Sequence, residues 1–283
     1  MPATPYVTAA EFAAHPTYLD LDDLRSGIAD PEAQVAELTN LLLISSAWAD
    51  NQVNQATLVA HQVVLSTQGR VDRDGTLVVF PSDRPVLSVE KVAFGATFTR
   101  MTAITAPVAR VDKNQTIRIP AGRGATMGRV DVDITYTAGW VSTLLKAAAD
   151  SGAESLTVAD PTGIMPGASY RLWEPGREEM VTVSPTWTPP AVTVPLAPVE
   201  VPLAAPTAFA HDEGAGWSGM PEDMRLAVVN YTVAQLMRPD TASEDAFPDT
   251  SMPSSTRKED TRKDGSGLVV EAARILSSYA RRM

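Results

Sequence analysis

Apolar and polar residues alternate strictly over residues 129–137. Val130, Val132, Ile134 and Tyr136 fall on one side of an extended chain, and Asp131, Asp133 and Thr135 fall on the other. A period of two predicts a strand with one buried face. The same texture, in shorter runs, marks strands through Val59, Val63 and Leu65, over 77–80, over 86–94 and over 116–119. Asp72-Arg-Asp-Gly75 reads as a hairpin turn between the first two, and the prolines of 81–85 break the chain after the second.

Helical spacing appears in four places. Thr8-Ala-Ala-Glu11 has the capping-box spacing and opens a short helix that ends near His15-Pro16. Asp30-Pro31-Glu32 supplies a cap, a first-turn proline and a first-turn acid ahead of Val35, Leu38, Leu41, Leu42 and Trp48. Pro221, Glu222 and Asp223 open a third helix, carried by Leu226, Val229, Tyr231, Val233 and Leu236 as far as Met237. The last, over 267–283, places Leu268, Ala272, Ile275, Leu276 and Tyr279 on one stripe, with Arg281 and Arg282 complementing its C-terminal dipole.

Between the 129–137 strand and the third helix lies a proline-rich β segment. It offers strands at Ser155-Leu-Thr-Val158, 169–174, 179–184 and 191–196, and it closes on His211-Asp-Glu-Gly214. Residues 144–150 fit either one helical turn or an approach to this segment. Its many prolines keep strands short and favour edges and loops. Residues 239–266 lose the apolar pattern and read as an extended arm. The expected class is α+β: helices packed on a small antiparallel sheet, an inserted β-rich domain, and a C-terminal arm plus helix. The expected divisions are a core of 1–140 with 219–238, an insert of 141–218, an arm of 239–266 and a helix of 267–283.

Composition narrows the function classes. The chain has 283 residues, 44% of them hydrophobic, which suffices for one large or two modest cores. No apolar run approaches a membrane span, and the N-terminus lacks a signal-peptide pattern, so synthesis in the cytoplasm is expected. The absence of cysteine excludes disulfides and thiolate metal sites. Twenty-three Lys and Arg against 34 Asp and Glu give a net charge of −11, which disfavours sequence-reading nucleic-acid binding but suits a channel wall along which DNA slides.

Chemistry has little to stand on. His15, His61 and His211 are scattered without metal-ligand or triad spacing, and no phosphate loop, nucleophile elbow or zinc-protease motif occurs. Asp131 and Asp133 share one face of a strand, where a solvated surface is the ordinary use of such a pair. The expectation is a protein without catalytic residues, cofactor or metal.

Tyr136-Thr-Ala-Gly-Trp140, ending a strand, and Met220-Pro-Glu-Asp-Met-Arg-Leu-Ala-Val228, opening a helix, together resemble the head-tail connector (adaptor) proteins of long-tailed, siphovirus-type bacteriophages. In that family the two pieces are often separated only by a short loop; here 141–218 intervene, and that stretch resembles a small β module common in phage virion proteins. The resemblance covers about 31–237 without the insert. It implies a structural virion protein made in the host cytoplasm and placed at the neck, forming a homo-oligomeric, usually twelve-fold ring below the portal protein. Such a ring extends the DNA channel, passes the genome without sequence-specific binding, docks the next connector or tail-completion protein, and involves no membrane.

The C-terminal stripe of Leu268, Ala272, Ile275, Leu276 and Tyr279, with Arg281 and Arg282, is the candidate partner-binding element. Its dock is either its own subunit or a neighbour or the portal, reached by the arm. An alternative of another class is a virion module whose insert recognises carbohydrate or a host surface, with Trp173, Trp187 and Trp217 as stacking platforms; the same tryptophans equally suit a core or a subunit interface.

Overall fold

The computed structural model describes residues 4–17, 19, 21–22, 24, 30–105, 107–122, 127–190, 197–245 and 266–280, the side chains at 238–245 and 266 excepted. The protein is α+β, built around three apolar clusters: one between helices, one inside a seven-stranded half-barrel and one inside a second, smaller barrel.

Helix α1 (Ala9–Ala14) starts at a complete capping box: Thr8 Oγ1 accepts from Glu11 N at 3.2 Å, and Glu11 Oε2 accepts from Thr8 N at 2.7 Å. Helix α2 (Pro31–Val53) starts where Asp30 Oδ1 accepts from Glu32 N, and it ends at Asn54 in the left-handed conformation. Helix α3 (Glu222–Asp245) runs past the expected end at Met237 into the segment read as an arm, and α4 (Ser266–Ser277) closes the bundle. Leu38, Leu42, Met224, Val228, Ala272 and Leu276 form its centre, with Tyr6, Val7 and Phe12 from the N-terminal segment.

The half-barrel comprises β1 (His61–Val71), β2 (Thr76–Val79), β3 (Val86–Thr97), β4 (Arg100–Ile104), β5 (Arg110–Val111), β6 (Ile117–Pro120) and β7 (Gly128–Ala138). Their order is β4-β3-β7-β1-β2-β6-β5, with every neighbouring pair antiparallel. The alternation in β7 has the expected outcome: Val130, Val132, Ile134 and Tyr136 are buried in the half-barrel's interior with Leu77, Ile117 and Ile119. Asp131 and Asp133 lie on its outer face, where Ser66 Oγ donates to Asp133. The sheet is large and curved, so it buries alternate residues against itself, and the helical cluster reaches its edge beside Leu58, Val59 and Trp140.

From Val141 to Gly219 the chain forms a barrel. Strands β8 (Ser142–Leu144), β10 (Ser169–Trp173), β11 (Glu179–Thr182) and β13 (Gly216–Ser218) pair in the order β11-β10-β13-β8, and β9 (Ser155–Val158) pairs with β12 (Val199–Pro202). The two sets join on both sides. Leu145 bridges Val158 with Lys146 N donating to Thr157 O at 2.8 Å, and Val183 bridges Leu203 with Ala204 N donating to Thr182 O at 2.8 Å. Closure removes free edges and encloses Leu156, Val158, Leu172, Val183, Val201 and Trp217. The strand expected over 191–196 lies outside the described residues. Strand β12 lies among those prolines and is short, ending at Pro202, whose carbonyl accepts from Ser184 N at 2.9 Å. Of residues 144–150, expected as a helical turn or an approach to the segment, Leu144 ends β8, Leu145 bridges Val158 and Ala149 bridges His211.

Candidate functional site

The expected partner-binding stripe lies against its own chain in this structure. Ala272 and Leu276 are fully buried between α3 and α2, and Leu268, Ile275 and Tyr279 are half-buried beside them. The Tyr279 ring stands edge-on to Trp140 at 5.8 Å, and its hydroxyl donates to Asp223 Oδ1 at 2.7 Å. Burial and the adjacent Asp223 carboxylate push the Tyr279 phenol up to about 12, so it stays a donor at any physiological pH. Arg281 and Arg282 lie outside the described residues. The outward side of α4 carries Val270, 69% exposed, and an Arg274–Glu271 pair.

A second constellation joins the barrel to the helices and was not legible in the sequence. Arg225, in the second turn of α3, is 5% exposed. Its guanidinium donates to Glu11 Oε1 and to the Tyr6 carbonyl, so the same Glu11 carboxylate caps α1 with one oxygen and holds Arg225 with the other. Burial lowers the Arg225 pKa and the Glu11 charge opposes that effect. Trp173, at the end of β10, carries two guanidinium groups over its ring: Arg225 and Arg171 each sit 4.3 Å from the ring centroid. Arg171 in turn reaches Glu222 at 2.6 Å. Beside this junction is a cleft of about 300 Å³ whose walls include Val7, His15, Pro16, Glu178 and the 40% exposed Leu226.

The histidines separate. His61 Nε2 lies 2.9 Å from Asp83 Oδ2 and Nδ1 lies 2.8 Å from the Val59 carbonyl, contacts that raise its pKa against the opposing effect of burial. His211 is buried, with Nδ1 2.7 Å from Glu174 Oε2 and Nε2 2.8 Å from Glu179 Oε1. Burial pushes the Glu179 carboxyl up, but the amides of Ala208 and Phe209 and the His211 imidazole outweigh it and hold the group below the ordinary carboxylate range. Arg177 bridges Glu174 and Asp212 at 2.5 and 2.6 Å. This network ties the 205–213 segment to β10 and β11; a fully enclosed imidazole has no face open to a substrate. Sequence spacing could not reveal it, because His211 and its two partners are 37 and 32 residues apart.

Among the described residues no group of three His, Asp or Glu side chains is arranged to hold a metal ion, and no helix is long and apolar enough to cross a membrane. Trp217 is fully buried in the barrel, Trp187 packs partly buried against its core, and Trp173 lies at the junction with Arg171 and Arg225 over its ring. Comparison with protein families, curated proteins and solved structures finds no match.

Proposed function

We propose that this chain is a structural virion protein: a head-to-tail adaptor that forms a ring below the portal, extends the DNA channel and docks the next connector or tail-completion protein. One observation carries most of the weight. The two pieces of the connector-like motif, Tyr136-Thr-Ala-Gly-Trp140 and Met220-Pro-Glu-Asp-Met-Arg-Leu-Ala-Val228, are far apart in the chain yet contiguous in space. Gly219 N donates to Val141 O at 2.9 Å, and Trp140 packs on the same cluster as Met220 and Met224. A strand-to-helix junction of that kind is what the family resemblance calls for, with the barrel as an addition spliced into it. The side of α4 opposite the stripe suits a role in assembly: Ala272 and Leu276 hold the helix on its own subunit, and Val270 on the exposed side is free to meet the portal or a neighbouring subunit.

No observation favours carbohydrate or host-surface recognition by the barrel: Trp217 is enclosed and the Trp173 ring is engaged by two guanidinium groups of its own chain. The test is imaging of the virion neck together with co-purification on assembled portal. A ring of this chain between portal and tail is the expected result. Virions that lack the chain, or purified portal that fails to retain it, overturn the proposal.

A further inference from the structure

The 205–213 segment runs along the β10–β11 turn and the turn at 150–153, and no side chain in it joins the barrel's apolar core, although Leu203 before it and Ala215 after it do. Hydrogen bonds and ion pairs fasten it. Its first part is tied by neutral groups: Thr207 N donates to Ala153 O at 3.0 Å, Gly152 N donates to Thr207 O at 2.9 Å, and the buried Thr207 hydroxyl donates to Asp150 O at 3.1 Å.

From Ala208 onward charged side chains do most of the fastening. The Ala208 and Phe209 amides donate to Glu179 at 2.8 and 3.2 Å, the Asp212 amide donates to Glu174 at 3.3 Å, and Arg177 donates to the Ala210 carbonyl at 3.1 Å. At the centre each ring nitrogen of His211 faces a carboxylate oxygen, Nδ1 that of Glu174 and Nε2 that of Glu179. An ionised carboxylate only accepts and a neutral imidazole has one N–H, so both contacts are hydrogen bonds only when the ring carries two protons. The ring is 1% exposed and the two glutamate side chains 11% and 12%, which leaves little water to replace a missing partner.

The other charges at the ring are Arg177, from the β10–β11 turn, and Asp212, next in the chain; Lys146 and Asp150 on the facing segment, Glu178 and Glu213 are exposed. With an imidazolium, two cations meet the carboxylates of Glu174, Glu179 and Asp212. With a neutral ring only Arg177 remains, and one buried carboxylate faces a nitrogen lone pair.

We propose that this segment is a proton-operated strap: His211, as an imidazolium, clamps residues 208–213 onto Glu174 and Glu179, and loss of one ring proton releases them while the barrel stays folded. Thr207 holds one end through its neutral hydrogen bonds. Gly214, at φ +91° and donating to Leu145 O at 2.9 Å, holds the other. The barrel survives release because its core is filled by Leu156, Leu172, Val183, Val201 and Trp217, none of them in the strap. Opening turns an enclosed imidazolium into a solvated ring, which is neutral above about pH 6.5, so there opening releases a proton and its equilibrium constant rises about ten-fold per pH unit.

The test is NMR on the full chain. In an H15Q/H61Q background, where His211 is the one histidine left, both ring nitrogens should carry protons at about pH 6. Amide protection, corrected for intrinsic exchange, should fall about ten-fold per pH unit above about pH 6.5 at Ala208, Phe209 and Asp212. The Val183 amide, bonded to Ala168 O, and the Gly219 amide, bonded to Val141 O, should keep theirs. His211→Gln, which is neutral at every pH, should leave the strap amides weakly protected and without that slope; if this variant does not fold, the ring protonation and the slope of the histidine-bearing chain decide. An unprotonated ring nitrogen at about pH 6 overturns the proposal, as does strap protection that ignores pH or persists in full in His211→Gln. Loss of the Val183 and Gly219 amides together with the strap also overturns it, because His211 then supports the barrel as a whole.

Discussion

The guanidinium of Arg225 lies 4.3 Å from the ring of Trp173, and this contact binds the barrel to the helical bundle. The same guanidinium is held by Glu11 and by the Tyr6 carbonyl, so one buried cation joins three parts of the chain that are remote in sequence.

Removing that cation strands a buried carboxylate. Arg225→Ala should destabilise the protein by about 3–5 kcal/mol, whereas the double change E11Q/R225M, which removes both charges, should recover most of the loss. Urea denaturation midpoints of the three proteins measure this, and equal losses in the single and double variants would show that the pair is not the cause.

His61 makes stability depend on pH near neutrality. Its folded pKa is raised, chiefly by the hydrogen bond to Asp83, so its contribution is fully present below the unfolded value of about 6.5 and is lost as pH rises through the folded value. Asp83→Asn should flatten the decline in stability as pH rises above about 6.5, as followed by chemical denaturation at a series of pH values.

Glu179 acts at the acid end. Its folded pKa is lowered, so its contribution is present above the unfolded value near 4.5 and is lost as pH falls through the folded one. Glu179→Gln should reduce the acid sensitivity of the barrel, detected as a lower pH midpoint for loss of the Ala208 and Phe209 amide signals in NMR spectra. An unchanged midpoint would remove Glu179 from the account.

Gly139 has φ +109°, and a Cβ there would stand 2.5 Å from the Val59 carbonyl oxygen. Gly139→Ala should cost about 1–3 kcal/mol, because strained φ and close backbone approach coincide just where β7 passes the start of β1. Thermal unfolding with and without the substitution provides the comparison.

Leu276 is fully buried under α4, so Leu276→Ala should cost about 2–5 kcal/mol if the helix docks in its own subunit. Monomeric protein should show the whole loss; a loss seen only in assembled protein would place the dock on a neighbour.

Local signals determined much of this protein. The period of two in 129–137 specified β7 and its buried face, because a strand with one face in a core has no other register. Thr8 with Glu11, and Asp30 with Pro31, marked the starts of α1 and α2, since capping needs only residues two or three apart. The four-residue turn at Gly75 and the stripe of α4 were legible for the same reason. The end of α3 was not: residues 238–245 lack an apolar pattern, yet the helix continues through them. Closure of the 141–219 chain into a barrel was equally hidden, since it depends on the bridges of Leu145 to Val158 and Val183 to Leu203. The burial of His211 between Glu174 and Glu179 and the Arg225–Trp173 junction likewise exist only in three dimensions. Helix caps, turns and alternation are written over a few residues, whereas charge partners and strand neighbours are chosen by which distant segments the packed cores bring together.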